Sequence, residues 1–88
     1  EVFGIINQMR RAAVSVSSNI TEGFSKKTKK EKIQFYHIAL GSLKELQNQI
    51  LISRDIHYIV HKHFLRLSDQ TVIVSRLVNG LIKSAPSK

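Results

Sequence analysis

Apolar residues return along this chain at spacings of three and four in three separate stretches, and nowhere do they alternate with polar residues as in a half-buried strand. The pattern predicts an all-helical protein. In the first stretch Val2, Ile6, Met9, Ala13, Val16 and Ile20 form one seam of an amphipathic helix. This helix is expected to run to Glu22 and stop at Gly23 in the left-handed C′ conformation, with Phe24 folding back onto its last turn. Thr28-Lys29-Lys30-Glu31 fits a capping box, so the second helix should start there. Its seam is Ile33, Tyr36, Leu40, Leu43, Gln47 and Ile50, widened by Phe35, Ala39 and Leu46, and it continues to about Arg54. After a turn from Asp55 to Ile59, the third seam is Val60, Phe64, Leu67, Thr71, Val74, Val78 and Leu81, ending near Lys83 and short of the single proline, Pro86.

Long helices joined by short connections favour antiparallel neighbours, so the expected architecture is an antiparallel helical bundle. Three helices that each carry a broad apolar face leave room for a fourth. Gly41 is a poor residue for a helix interior, costing about 1 kcal/mol relative to alanine; a helix crossing closely at Gly41 and Ser42 would account for it. The 88 residues make one domain, and at this size folding buries only about 60 to 65% of the surface of the unfolded chain. Oligomerisation is the expected source of further burial. The first residue is Glu1 and the apolar period is already running at Val2, which predicts a preceding segment.

The chain has no cysteine, which excludes a disulfide framework and a thiolate metal site and fits a cytoplasmic location. No apolar run reaches the length of a membrane span, and no signal-peptide pattern opens the sequence. In that context the sequon Asn19-Ile20-Thr21 is a coincidence. Fourteen Lys and Arg against six Asp and Glu give a net charge of +8, which makes polyanions the first partners to consider.

Half of that excess is local. Lys26, Lys27, Lys29, Lys30 and Lys32, with Glu31 among them, carry a net +4 within seven residues. Lys29 and Lys30 crowd a helix N-terminus, where the macrodipole disfavours cations. That conflict points to phosphate neutralisation; the alternative is a solvated loop. Lys62, Arg66, Asp69, Arg76 and Lys83 form a second, mostly basic stripe on the third helix, interrupted by Ile73, whose apolar side chain hints at a subunit or partner contact. Aromatic residues are scarce among the lysines, with Phe24, Phe35 and Tyr36 assigned to the core, so base stacking on a single strand finds little support.

Glu22 lies near a helix C-terminus, where a carboxylate is disfavoured, and calls for a cation. Arg11 is eleven residues away, roughly 16 Å along the axis, so the pairing expected for Arg10 and Arg11 is with Glu22 and Glu45 across helices or subunits; phosphate binding is their other option. Ser18, Asn19, Gly23, Gly41 and Ser42 read as small or polar interface residues. His57, His61 and His63 lack the companions of a metal site. Ser15, Ser17 and Ser18 lack a nucleophile elbow, and no Gly-rich phosphate loop occurs. No metal, no cofactor and no enzymatic activity are expected.

RRAAVSVSSNITEG, followed by FYHIALGSLKELQNQILIS, resembles the 23S rRNA intervening-sequence proteins, also called the four-helix-bundle protein family, to which the accessory variability determinant proteins of diversity-generating retroelements are related. The family pattern of Arg-Arg-Ala-Ala, Asn-Ile-Ala-Glu-Gly, Ala-x-Gly-Ser-Leu-x-Glu-Leu and a terminal Leu-Ile falls here on Arg10 to Ala13, Asn19 to Gly23, Ala39 to Leu46, and Leu81 with Ile82. The resemblance implies a four-helix bundle assembled as a homopentamer with a basic surface and a role in nucleic-acid binding; the family's first helix is missing from these 88 residues. Thr21 stands where alanine is usual, and His57 where the turn usually has glycine, so a left-handed backbone there would carry strain. The expected function is sequence-tolerant RNA or DNA binding by a non-enzymatic oligomer. The alternative is a scaffold for a protein such as a reverse transcriptase.

Overall fold

The computed structural model describes residues 2–85, with the side chain of Val2 and all of Pro86 outside the described residues. It consists of α1 (Val2–Ser25), α2 (Lys29–Asp55) and α3 (His61–Lys83). The threonine half of the capping box forms, with Glu31 N–H donating to Thr28 Oγ1 at 3.2 Å, while Glu31 Oε1 accepts from the Thr28 hydroxyl at 3.0 Å in place of its backbone N–H. One orphan amide of α2 is thereby satisfied, and a carboxylate sits in the first turn, where the dipole favours it.

α2 ends in a Schellman motif. His57 N–H donates to the Arg54 carbonyl at 2.9 Å and Tyr58 N–H to the Ser53 carbonyl at 2.8 Å, the pair of bonds that requires a left-handed residue at C′. That residue is His57, at φ 62°, as expected from its place in the turn. α3 begins without a side-chain cap, because its N-cap is Val60. Val60 was expected in the apolar seam; as a cap it points outward and is 61% exposed. The start of α3 is held to α2 by Phe64, whose ring lies 4.5 Å from the Arg54 guanidinium and stacks on His61 at 5.9 Å.

Paired contacts show both junctions to be antiparallel. Ser15 meets Ser42 and Met9 meets Ser53, while Gln47 meets Thr71 and Arg54 meets Phe64. α2 is the central helix, with α1 and α3 packed on either side of it. The core is built from Ala12, Val16, Tyr36, Ala39, Leu43, Ile50 and Val78. Because α1 packs almost entirely on α2, its buried line passes through Ala12; Ala13, expected in the seam, is exposed. Ala13 instead joins Ile6, Met9, Leu46, Leu67 and Val74 along an open apolar groove of about 560 Å³ between α1 and α3.

The shape records this openness. The molecule measures 47 × 21 × 13 Å with a radius of gyration of 14.4 Å, against about 12 Å for a compact domain of this length. Its accessible surface is 6202 Å², against about 5200 Å² for a monomeric globule of this mass. Gly41 does not mark a helix crossing within the chain: it is exposed, and a Cβ there would meet nothing within 4 Å. Among the described residues, no helix is long and apolar enough to cross a membrane.

Candidate nucleic-acid interface

The antiparallel order gathers the C-terminal end of α1, the connection to α2 and the first turn of α2 at one end of the molecule, and every lysine of the cluster lies there. α1 reaches Ser25 rather than ending at Glu22, and among the described residues no glycine has a positive φ. Gly23 is therefore not a left-handed cap. Its value is close approach: a Cβ at Gly23 would overlap the Tyr36 ring, at 2.8 Å from Cδ1. Lys32 Nζ takes over the capping, donating to the Gly23 carbonyl at 3.2 Å and the Phe24 carbonyl at 3.1 Å.

The five lysines consequently divide. Lys32 is bound to the end of α1. Lys26 pairs with Glu22 at 3.6 Å and lies 5.2 Å from the centroid of the half-buried Phe35, which was expected in the core. Lys27, Lys29 and Lys30 are exposed, and no carboxylate of the described residues lies within 4.0 Å of them. They stand over the first turn of α2, where Glu31 is the one compensating carboxylate.

Glu22 thus finds its cation four residues on and not in an arginine of another helix. With α1 extended past Gly23, Lys26 comes within reach at the (i, i+4) spacing. Arg10 is exposed beside the apolar groove. Arg11 and Glu45 border one polar cleft with Gln8, Asn48 and Gln49, yet form no ion pair within 4.0 Å. Within the chain, neither arginine has the partner expected for it.

Ser18 is exposed and takes no part in the α1–α2 junction. Ser15 does: its hydroxyl lies 2.6 Å from that of Ser42, while Asn19 Nδ2 donates to the Ser15 carbonyl at 2.8 Å and to Ser15 Oγ at 3.2 Å. The sequence signal was the (i, i+4) spacing of Ser15 and Asn19 on the buried side of α1. Gln47 and Thr71 make the equivalent polar link to α3, at 3.0 Å.

Lys62, Asp69, Arg76 and Lys83 recur at intervals of seven along the outer face of α3, spaced about 10.5 Å apart, and all are exposed, as is Arg66. Arg66 Nη2 meets His63 Nδ1 at 3.4 Å. Lys83 lies toward the end that holds the lysine cluster, and Lys62 at the opposite end. Among the described residues, no three His, Cys, Asp or Glu side chains come together as metal ligands. Phe24 is not folded into the core: it is 58% exposed, with its ring in a T-shaped contact with that of Tyr36 at 6.2 Å.

No curated protein and no solved structure matches the chain. A family model does, across residues 1–80, and it is that of the 23S rRNA-intervening sequence protein. The match spans all of α1 and α2 and most of α3, including both motifs that carried the resemblance; this chain belongs to the 23S rRNA-intervening sequence protein family.

Proposed function

We propose that this chain is a non-enzymatic, cytoplasmic, homo-oligomeric bundle protein that binds RNA or DNA through its phosphates, with little regard to sequence. The observation that carries this reading is the group of exposed cations Lys27, Lys29 and Lys30, left without carboxylate partners beside a helix N-terminus. Cations placed against the macrodipole cost stability, and a polyanion reverses that cost. The α3 row of Lys62, Arg76 and Lys83, interrupted by Asp69 and with Arg66 beside it, extends the basic surface along the length of the molecule. Affinity measured against salt tests the reading. A slope of log affinity on log salt near −0.7 per phosphate contact on single strands, or −0.9 on duplex, is expected; binding indifferent to salt, or no binding at low salt, rejects it.

Oligomerisation is supported by the open apolar groove and by the surface in excess of that of a compact globule. A closed ring is the economical solution, and the family resemblance makes it a pentamer. Light scattering decides the point, and a monomer at micromolar concentration overturns it. The same groove favours a second reading, a scaffold holding an apolar helix of another protein, with a reverse transcriptase as the example the retroelement resemblance offers. Capture of one protein that persists at high salt would select that reading.

A further inference from the structure

Resting on the nucleic-acid reading above, we infer that the lysine end of the molecule takes a single strand, with one base stacked on Phe24. Three observations converge on this residue. It is a large aromatic side chain left 58% exposed at the end of α1. Its contact with Tyr36 is T-shaped, at 6.2 Å and 76° between the rings, so Tyr36 covers at most one face of the Phe24 ring. Cations follow it closely in the chain: Lys27, Lys29 and Lys30 come within six residues, and Lys32 Nζ donates to its carbonyl at 3.1 Å.

The backbone that carries the ring is held in place on two sides. Phe24 is in the last turn of α1, whose carbonyls are capped by Lys32, and the adjacent Gly23 is seated against Tyr36. An exposed aromatic ring held beside phosphate-binding cations is the arrangement that stacks bases without reading their edges. A duplex, whose bases are already stacked on each other, offers that ring no free face. The site should therefore prefer single strands, and the preference resides in Phe24 while the salt dependence resides in the lysines.

The full 88-residue chain is titrated with a fluorescently labelled 20-nucleotide oligo(dT), the same length of oligo(U), and a 20-base-pair duplex. Phe24→Leu keeps the apolar bulk and removes the π-face. It is expected to weaken both single strands by about 5- to 160-fold, the range that stacking of one base supplies, while leaving duplex affinity and the salt slope as they were. Because the chain has no tryptophan, Phe24→Trp installs a single indole at the site, which should hold single-strand affinity and lose fluorescence when the strand binds. Circular dichroism and light scattering on each variant check fold and assembly.

Unchanged single-strand affinity in Phe24→Leu, with binding lost in the Lys27→Gln, Lys29→Gln, Lys30→Gln triple variant, overturns the stacking site and leaves the electrostatic reading standing. Binding that survives the triple variant overturns the lysine surface itself. A loss in Phe24→Leu that follows a change of oligomeric state shows Phe24 to be a contact between copies, and that too overturns the stacking site.

Discussion

The hydroxyls of Ser15 and Ser42, 27 residues apart in sequence, lie 2.6 Å apart across the α1–α2 junction, and Asn19 holds Ser15 from the following turn of α1. Small hydroxyl residues let the two backbones approach while each polar group keeps a partner. Removing one hydroxyl leaves the other facing a partly buried junction. Ser15→Ala and Ser42→Ala should each cost about 1 kcal/mol, and the double variant should cost clearly less than the sum. Urea unfolding of the four proteins at one fixed concentration measures the coupling; strictly additive losses would show that the hydroxyl pair contributes nothing specific.

Two glycines inside helices should respond oppositely to the same change. Alanine is favoured over glycine in a helix by about 1 kcal/mol. At Gly41 nothing lies within 4 Å of the added Cβ, so Gly41→Ala should raise stability by about that amount. At Gly23 the Cβ overlaps the buried Tyr36 ring, and Gly23→Ala should lower stability by about 1 to 3 kcal/mol despite its propensity gain. A loss at Gly41 would mean that another chain packs there, since no part of this one is within reach.

The left-handed C′ position of α2 is occupied by a histidine, at φ 62°. A side chain in that conformation costs about 1 to 2 kcal/mol relative to glycine, and part of the gain from removing it is offset by glycine's greater freedom in the unfolded chain. His57→Gly should therefore stabilise by up to about 1 kcal/mol, read as a rise in the urea midpoint at unchanged slope. His57→Ala, which keeps the Cβ, should show no such gain. Equal midpoints for the glycine and alanine variants would remove backbone strain from the explanation.

What the sequence made legible here is what local chemistry decides. Thr28 and Glu31 specify the start of α2 without reference to any other element, and the helix stops within a residue of the expected Arg54, so both ends of α2 could be read directly. The side of α1 that is buried could not. Ala12 and Ala13 are 100° apart on the helix, and the choice between them depends on whether α3 closes over α1 or leaves a groove. The groove is what forms, so Ala12 is buried in place of Ala13 while Val16 stays in the core. The partner of Glu22 was hidden by a reasonable local inference of the same kind: a glycine read as a cap ends the helix before Lys26, whereas Tyr36, a tertiary neighbour, gives Gly23 a different purpose. Phe24 was assigned to the core for its hydrophobicity, and its exposure follows only from where α1 stops.

The division within the lysine cluster yields the most discriminating test of the electrostatic surface. Lys29 and Lys30 have solvent-exposed ends without carboxylate partners, whereas Lys32 donates to two carbonyls at the end of α1. Lys29→Gln with Lys30→Gln should leave thermal stability unchanged or slightly improved, because two cations leave a helix N-terminus, and should weaken nucleic-acid binding with a shallower salt slope, by about 0.7 per lost contact on single strands. Lys32→Gln should do the reverse. It should cost about 1 kcal/mol of stability through the two orphaned carbonyls, with a smaller loss of binding once the protein is kept folded. Thermal melts and salt titrations on the same preparations separate the two effects. If Lys32→Gln flattens the salt slope as strongly as the Lys29 and Lys30 changes do, the five lysines act as one diffuse field, and the assignment of Lys32 to capping is wrong.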